Sequence, residues 1–207
     1  MTKKFNWLET AKRLEAIAQT GLTFTQNDYD RERYEEIRKI SHTIFHHYTE
    51  TPVEKIHDLF AREEGYPTPK VDIRGVVIRD EKLLLVHEKL DNRWALPGGW
   101  ADIGLTPYEV VVKEVKEESG LEVQPERLLA VLDKKMHNHP PSPLHVYKMF
   151  ILCREKGGEL AAGVETLDVG FFNLDQLPVL STDRNTHGQL AMIYDLYKHP
   201  ERLPVVD

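Results

Sequence analysis

Three glutamates, Glu114, Glu117 and Glu118, stand at i, i+3 and i+4 in a stretch whose valines Val110, Val111 and Val115 recur at helical spacing. At about 3.6 residues per turn, all three carboxylates leave one face of a helix while the valines seat the other. The acidic residues fall just before Gly120, where the helix dipole disfavours negative charge and like charges repel. Two chemistries suit such a face: a solvated acidic surface, or oxygen ligands for a hard divalent cation. The flanks favour the cation. Thr106-Pro107-Tyr108-Glu109 is a capping box with proline at the first helical position, so the start of the helix is well defined. The Gly98-Gly99 pair after Trp94-Ala95-Leu96-Pro97 is a turn that can bring backbone close to the glutamates.

The elements around this helix follow from hydrophobic periodicity. Residues 71–78, a charged turn Arg79-Asp80-Glu81-Lys82 and residues 83–87 read as a β-hairpin. The glutamate helix spans 106–119. Strands are expected at about 128–133, 144–154 and 169–172, and a last helix at 186–198. The order β-β-α-β-β-β-α is a mixed α+β architecture. Before residue 66 only helices are legible. The first covers 7–20, with Trp7, Ala11, Leu14 and Ala18 as its stripe and Gly21 as its stop. The second covers 28–48, on Tyr34, Ile37, Ile40 or Ser41, Ile44 and Tyr48. The third opens with a capping box, Thr51-Pro52-Val53-Glu54, and has Val53, Ile56, Leu59 and Phe60 as its apolar side before Gly65, Pro67 and Pro69 end it. The reading is a helical domain over 1–66 and a second domain over 67–207. Three short helices are marginal alone. Their stripes are expected to form a homodimer interface, with an intramolecular cap over the substrate site as the alternative.

Composition narrows the class. The chain has 207 residues, 27 Lys plus Arg against 34 Asp plus Glu, and a net charge of −7. The N-terminal 66 residues hold 10 basic and 12 acidic side chains, so the helices form no basic arm and nucleic-acid binding is not expected. One cysteine, Cys153, leaves no disulfide framework or multi-cysteine zinc site, which suits a reducing, cytoplasmic setting. No stretch approaches the ~18 apolar residues of a membrane span.

The segment from Gly99 to Leu121 resembles the Nudix box, G-x5-E-x7-R-E-U-x-E-E-x-G-U, with U a bulky aliphatic. Glu114-Val115-Lys116-Glu117-Glu118-Ser119-Gly120-Leu121 matches its second half at every specified position. Two positions depart: the first box Glu falls on Leu105 and the box Arg on Lys113. Lysine keeps the charge without the planar fork. Glu109, four residues beyond Leu105, points off the metal face and does not replace the missing carboxylate. The N-terminal segments Ile17-Ala18-Gln19-Thr20-Gly21-Leu22 and Asp28-Tyr29-Asp30-Arg31-Glu32-Arg33-Tyr34 are similar to the helical domain of a bacterial Nudix group that includes CDP-choline and ADP-ribose pyrophosphatases.

The resemblance implies an α/β/α sandwich with a mixed sheet, plus the three-helix region. It implies a pyrophosphohydrolase of nucleoside diphosphate derivatives, with Mg²⁺ or Mn²⁺ on Glu114, Glu117, Glu118 and the Gly98 carbonyl, bridging the diphosphate oxygens and lowering the pKa of the attacking water. Lys113 would align the neighbouring glutamate, and the base would be Glu117 or, from a later loop, Glu165. CDP-choline is the first substrate expected, giving CMP and phosphocholine. ADP-ribose is the second, giving AMP and ribose 5-phosphate, and RNA is a further candidate. Arg74, Lys89, His137, His139, Tyr147 and Lys148 are candidate substrate contacts. Trp7, Trp94, Trp100, Tyr108 and Tyr147 are candidate cation–π seats for choline. The alternative is a catalytically weakened Nudix-like module that senses a nucleotide, for which Leu105 and Lys113 speak.

Overall fold

A computed structural model describes residues 6–61, 63 and 65–207. The chain divides into two compact units: residues 1–69 with 141–145, and residues 70–140 with 146–207. No helix is long and apolar enough to cross a membrane among the described residues.

The first unit holds α1 (Trp7–Phe24), α2 (Asp28–Thr49) and α3 (Val53–Phe60). Asn6 and Asn27 cap the first two, each side-chain oxygen accepting two backbone N–H groups of the opening turn. Ala11, Phe45 and Ile56 are fully buried at the centre, with Phe60 stacked on Phe45 at 5.6 Å. Three expectations are corrected here. Gly21 does not stop α1, which continues to Phe24; instead α2 crosses so closely that a Cβ at Gly21 would lie 2.4 Å from the Tyr34 ring. Tyr48 of the expected α2 stripe is exposed; of the alternatives Ile40 and Ser41 it is Ser41 that is buried, donating to the Ala11 carbonyl at 3.0 Å, and His42 and Phe45 are buried beside it. No capping box forms at α3: Pro52 is the cap residue, and the Thr51 hydroxyl pairs with Thr49 at 2.8 Å.

The second unit is built on one mixed sheet. Its longer strands are β1 (Lys70–Arg79), β2 (Lys82–Glu88), β5 (Leu121–Asp133), β6 (Val146–Gly158) and β7 (Thr166–Phe172). The short β3 (Trp94–Ala95), β4 (Gly98–Trp100) and β8 (Val205–Val206) complete it. The central β1 runs parallel to β6, antiparallel to β4 along its first half and antiparallel to β2 at its end. The hairpin turn is tight because Asp80 and Glu81 both take positive φ, 49° and 61°. β5 pairs with β6, β8 adds beside β5, and β7 and β3 pair with β2.

Helix α4 (Pro107–Ser119) covers one face of this sheet and α5 (His187–Lys198) the other. Val110, Val111 and Val115 pack on Ile73, Val77, Leu84 and Ile151, while Leu190, Ile193 and Leu196 pack on Val76, Leu83, Phe150 and Leu152. The result is the expected α/β/α sandwich. Cys153 lies in the α4-side core, where burial pushes its thiol up to about 12. β5 begins at Leu121, seven residues earlier than the apolar run suggests, because bulges around Pro125 let the strand pass a residue that cannot donate to the ladder. The two- and three-residue strands are too short to leave a periodicity.

Candidate active site

Both ends of α4 are set locally. Thr106 and Glu109 exchange the reciprocal hydrogen bonds of a capping box, which keeps the Glu109 carboxylate at the helix start, off the glutamate face. Gly120 closes the helix at φ 76°, and its amide reaches the Lys116 carbonyl. With the valines seated in the core, the three glutamates are graded in exposure. Glu118 is buried, the Glu114 side chain is 15% exposed, and that of Glu117 is 61% exposed.

The Gly98-Gly99 turn lies against this face. Gly98 pairs with Arg74 on β1 at φ 141°, and a Cβ there would meet the Ile73 carbonyl oxygen at 2.0 Å, so only glycine fits. Its N–H donates to Glu118 Oε2 at 2.8 Å. Gly99 leaves room for the next carboxylate: a Cβ there would stand 3.1 Å from Glu114 Oε2.

Electrostatics follow the burial. Burial pushes Glu118 up to about 8; Arg74 and the Gly98 amide oppose this, while Glu88 and Glu114 add to it. Glu114 is raised too, by burial, against the pull of Lys113. Lys113 holds its proton more firmly than an ordinary lysine, first through its hydrogen bond to Asp102 at 3.0 Å and then through Glu114. Its ammonium lies 3.5 Å from Glu114 and 3.7 Å from Glu117, so the cation at the box-Arg position is in contact with both. Among the described residues no three His, Cys, Asp or Glu side chains already converge as a chelating group. The donor set nevertheless fits a hard divalent cation: oxygens only, on one face, with a buried carboxylate whose charge its neighbours leave undercompensated.

The other sequence candidates fall in three places. Arg74 is buried at this site; it donates to Asp72 at 2.9 Å and to the Leu96 carbonyl at 3.0 Å. Lys148, opposite Asp72 on β6, is 1% exposed and gives its ammonium to that same carboxylate. Burial pulls Lys148 down to about 8, while Arg74 and Lys148 together hold Asp72 below the usual carboxylate range despite its burial. Glu165 is exposed on the loop before β7, and that loop packs on the end of α4: Thr166 donates to the Glu118 carbonyl at 3.0 Å. Lys89 reaches the same loop, its amide bonding the Glu165 carbonyl at 3.1 Å and its ammonium the Val164 carbonyl. The histidines turn to separate partners: His137 Nε2 lies 2.9 Å from Asp207, and His139 Nδ1 lies 2.6 Å from the Thr182 carbonyl. Burial pulls His139 down to about 4, so the ring is neutral and Nδ1 carries the hydrogen.

Among the aromatics, Trp94 is packed between His87 at 4.9 Å and Phe172 at 4.7 Å, whereas Trp100, Tyr108 and Tyr147 are each partly exposed. Trp7 is exposed in the helical unit. Sequence reasoning missed Asp72, Glu88, Asp102, Arg184 and Asn185. Asp72 and Glu88 carried a signal, since each is the one acid of a strand whose centre is an apolar run. Glu88 is buried, raised by that burial against Arg184 at 2.8 Å. Residues 181–185, Ser-Thr-Asp-Arg-Asn, read only as a loop.

Comparison with known proteins agrees with this geometry. The NUDIX domain model matches residues 69–193, and the model described as "UDP-X-like, N-terminal oligomerisation domain" matches residues 6–60. The chain is 52% identical over 201 residues, 97% of both chains, to the Bacillus subtilis (strain 168) protein named "Putative ADP-ribose pyrophosphatase YjhB". It is 36% identical over 137 residues to the ADP-ribose pyrophosphatase of Methanocaldococcus jannaschii, covering 65% of this chain and 78% of that one. Among solved structures, a UDP-X diphosphatase superposes with a TM-score of 0.65 at 33% identity, over 97% of this chain and 98% of its own. An ADP-ribose pyrophosphatase from Streptococcus suis 89-1591 gives 0.62 at 44% identity, over 68% of this chain and 100% of its own.

Proposed function

The chain belongs to the NUDIX family of pyrophosphohydrolases, and from that premise we propose that it cleaves the diphosphate of a nucleoside diphosphate derivative with Mg²⁺ or Mn²⁺, ADP-ribose foremost. The observation that carries the reading is the face of α4 on which Glu114, Glu117 and Glu118 stand against the Gly98-Gly99 turn. The names of the relatives move ADP-ribose ahead of CDP-choline, and the UDP-X diphosphatase adds UDP-linked compounds to the candidates.

In this reading Glu114, Glu117 and Glu118, with the Gly98 carbonyl, hold the cation. When bound, the ion supplies neutralisation of the diphosphate oxygens and a lowered pKa for the attacking water. Lys113 aligns Glu114 and Glu117 from the distances it already keeps. The Gly98 amide steadies Glu118. Glu165 or Glu117, both exposed, takes the proton of the water as it attacks phosphorus. The P–O–P bond then breaks to leave a nucleoside monophosphate and the second phosphate ester.

Arg74 and Lys148 are buried and share the one carboxylate of Asp72, so they act on substrate phosphates through the positive charge that Asp72 leaves uncancelled. Lys89, His137, His139 and Tyr147 contact the remainder of the substrate. The enzyme works in the cytoplasm, where such derivatives are held, as a homodimer through the helical unit.

The test is incubation of the whole chain with Mg²⁺ or Mn²⁺ and ADP-ribose, CDP-choline, UDP-linked sugars, nucleoside triphosphates and short RNA, with products read by mass. Cleavage of ADP-ribose to AMP and ribose 5-phosphate is the expected result. Ligand-dependent thermal stabilisation without cleavage of any compound would overturn it in favour of a nucleotide-sensing module.

A further inference from the structure

The loop between β7 and α5 reads as featureless in the sequence, yet in the fold every residue from Ser181 to Thr186 makes a hydrogen bond. The Val179 carbonyl accepts from the Trp94 amide at 2.9 Å, and the Ser181 amide donates back to the Trp94 carbonyl at 2.8 Å. Ser181 Oγ donates to Asp91 at 2.6 Å, and Arg184 bridges Glu88 at 2.8 Å and Asp91 at 3.2 Å. The Asn185 amide closes onto the Ser181 carbonyl at 3.0 Å. These bonds hold Asn185 in place, fully buried, with Oδ1 accepting from the Leu96 amide at 2.8 Å.

Leu96 begins the segment that ends at the glutamate face. Its carbonyl accepts from Arg74 at 3.0 Å, the Pro97 carbonyl accepts from the Gly75 amide at 2.8 Å, and the Gly98 amide donates to Glu118. The chain over 96–98 is therefore tied to β1 by two bonds and to α4 by one. Its first N–H is tied by a side chain from another element, Asn185. Without that acceptor the Leu96 N–H would be buried and unsatisfied, at a typical cost of ~1–3 kcal/mol. The segment would move to find a partner and take the Gly98 amide with it.

We propose that Asn185 is a positioning residue for the metal face: by fixing Leu96 it sets the Gly98 turn against Glu118 and so sets the affinity of the α4 carboxylates for a divalent cation. The inference rests on the reading that Glu118 holds a cation. Direct hydrogen-bond partners of a ligand typically change metal affinity by about 10–100-fold when lost; Asn185 holds Leu96, two residues before Gly98, so the lower end of that range is expected.

The test measures Mn²⁺ binding to the substrate-free, full-length protein from the signal of free Mn²⁺ in electron paramagnetic resonance, alongside thermal unfolding in EDTA. Five proteins are compared: wild type, E118Q, N185L, N185D and Q189L. N185L keeps the volume and loses the acceptor, and should weaken Mn²⁺ binding by about 10-fold or more. N185D keeps the acceptor and should stay within about 3-fold of wild type. Gln189 is as buried as Asn185 and its Oε1 accepts from the Thr186 amide at the start of α5. Q189L should therefore lower the melting temperature and leave Mn²⁺ affinity unchanged. With substrate, N185L should lose turnover at limiting Mn²⁺, recover most of it at saturating Mn²⁺, and keep KM for substrate within about 3-fold.

Mn²⁺ affinity of N185L within about 2-fold of wild type would overturn the inference. So would equal damage in Q189L, which would mean general loosening, or equal damage in N185D, which keeps both the shape and the acceptor. If N185L does not fold, N185A carries the same expectation. A wild type that binds no Mn²⁺, or E118Q that binds it normally, would overturn the metal reading and this inference together. Normal wild-type binding with an unaffected N185L would overturn this inference alone.

Discussion

Replacing Glu118 with glutamine removes a charge and keeps a shape, and the surroundings of Glu118 fix the sign of the outcome. The carboxylate is 6% exposed, accepts from the Gly98 amide at 2.8 Å and is pushed up from 4.5 to about 8, first by burial. In the unfolded chain the same group titrates near 4.5. Between the two values the folded, metal-free protein binds the proton more tightly than the unfolded chain. Stability therefore falls as pH rises through that window, and the loss is complete above about pH 8. At 1.36 kcal/mol per pKa unit, the gap caps the loss at about 5 kcal/mol. Relaxation and water entry near the Gly98 turn bring it to about 1–3 kcal/mol.

The amide side chain in E118Q does not ionise and escapes the loss. In EDTA near pH 5, wild type and E118Q should melt at nearly the same temperature. Near pH 9 the variant should melt higher by about 2–12 °C, at ~2–4 °C per kcal/mol for a chain of this size. Mn²⁺ should reverse the order at that pH, because ligand at about 100 times Kd adds ~2.7 kcal/mol to a protein that binds it and little to one that does not. Hydrolysis by E118Q should fall by at least about 100-fold. The reasoning is refuted if E118Q melts no higher than wild type near pH 9 in EDTA, or if both gain equally from Mn²⁺.

Three further outcomes follow from neighbouring contacts. G99A places a methyl 3.1 Å from Glu114 Oε2, so it should weaken Mn²⁺ binding by about 3–10-fold with little change in melting temperature, as calorimetric titration and thermal unfolding would record. K113A frees Glu114 and Glu117 from the ammonium at 3.5 and 3.7 Å. Steady-state assays should show kcat about 10-fold lower, whereas K113R, which restores the cation, should stay within about 3-fold. G21A drives a methyl to 2.4 Å from the Tyr34 ring. It should destabilise the α1–α2 pair by about 1–2 kcal/mol after the roughly 1 kcal/mol gain in helix propensity, and adding Y34A should recover part of the loss in thermal unfolding.

Local chemistry was legible where it is self-contained. A capping box at Thr106 and a left-handed glycine at Gly120 bound α4 without help from any other element, so the helix and the shared face of its glutamates could be read from spacing. The two-residue hairpin turn after Arg79 and the α5 start at Thr186 were legible for the same reason, since their bonds close within a few residues. Gly21 was misread because a glycine at a helix end and a glycine under a crossing helix look alike in one stretch of sequence, and only Tyr34, arriving from α2, tells them apart.

The site divides the same way. Residue types and spacing along one helix determined which carboxylates could share a cation and that a glycine turn could approach them. Tertiary structure decided how deeply each is buried, and hence that burial raises the pKa of Glu118 and of Glu114. It also turned Arg74 and Lys148 inward onto Asp72 rather than outward to solvent. Asn185, 89 residues from the amide it holds, left no trace in the sequence. A hydrogen bond across that separation depends on where two chain segments are packed, and packing is a property of the whole sheet and its two helices rather than of any local stretch.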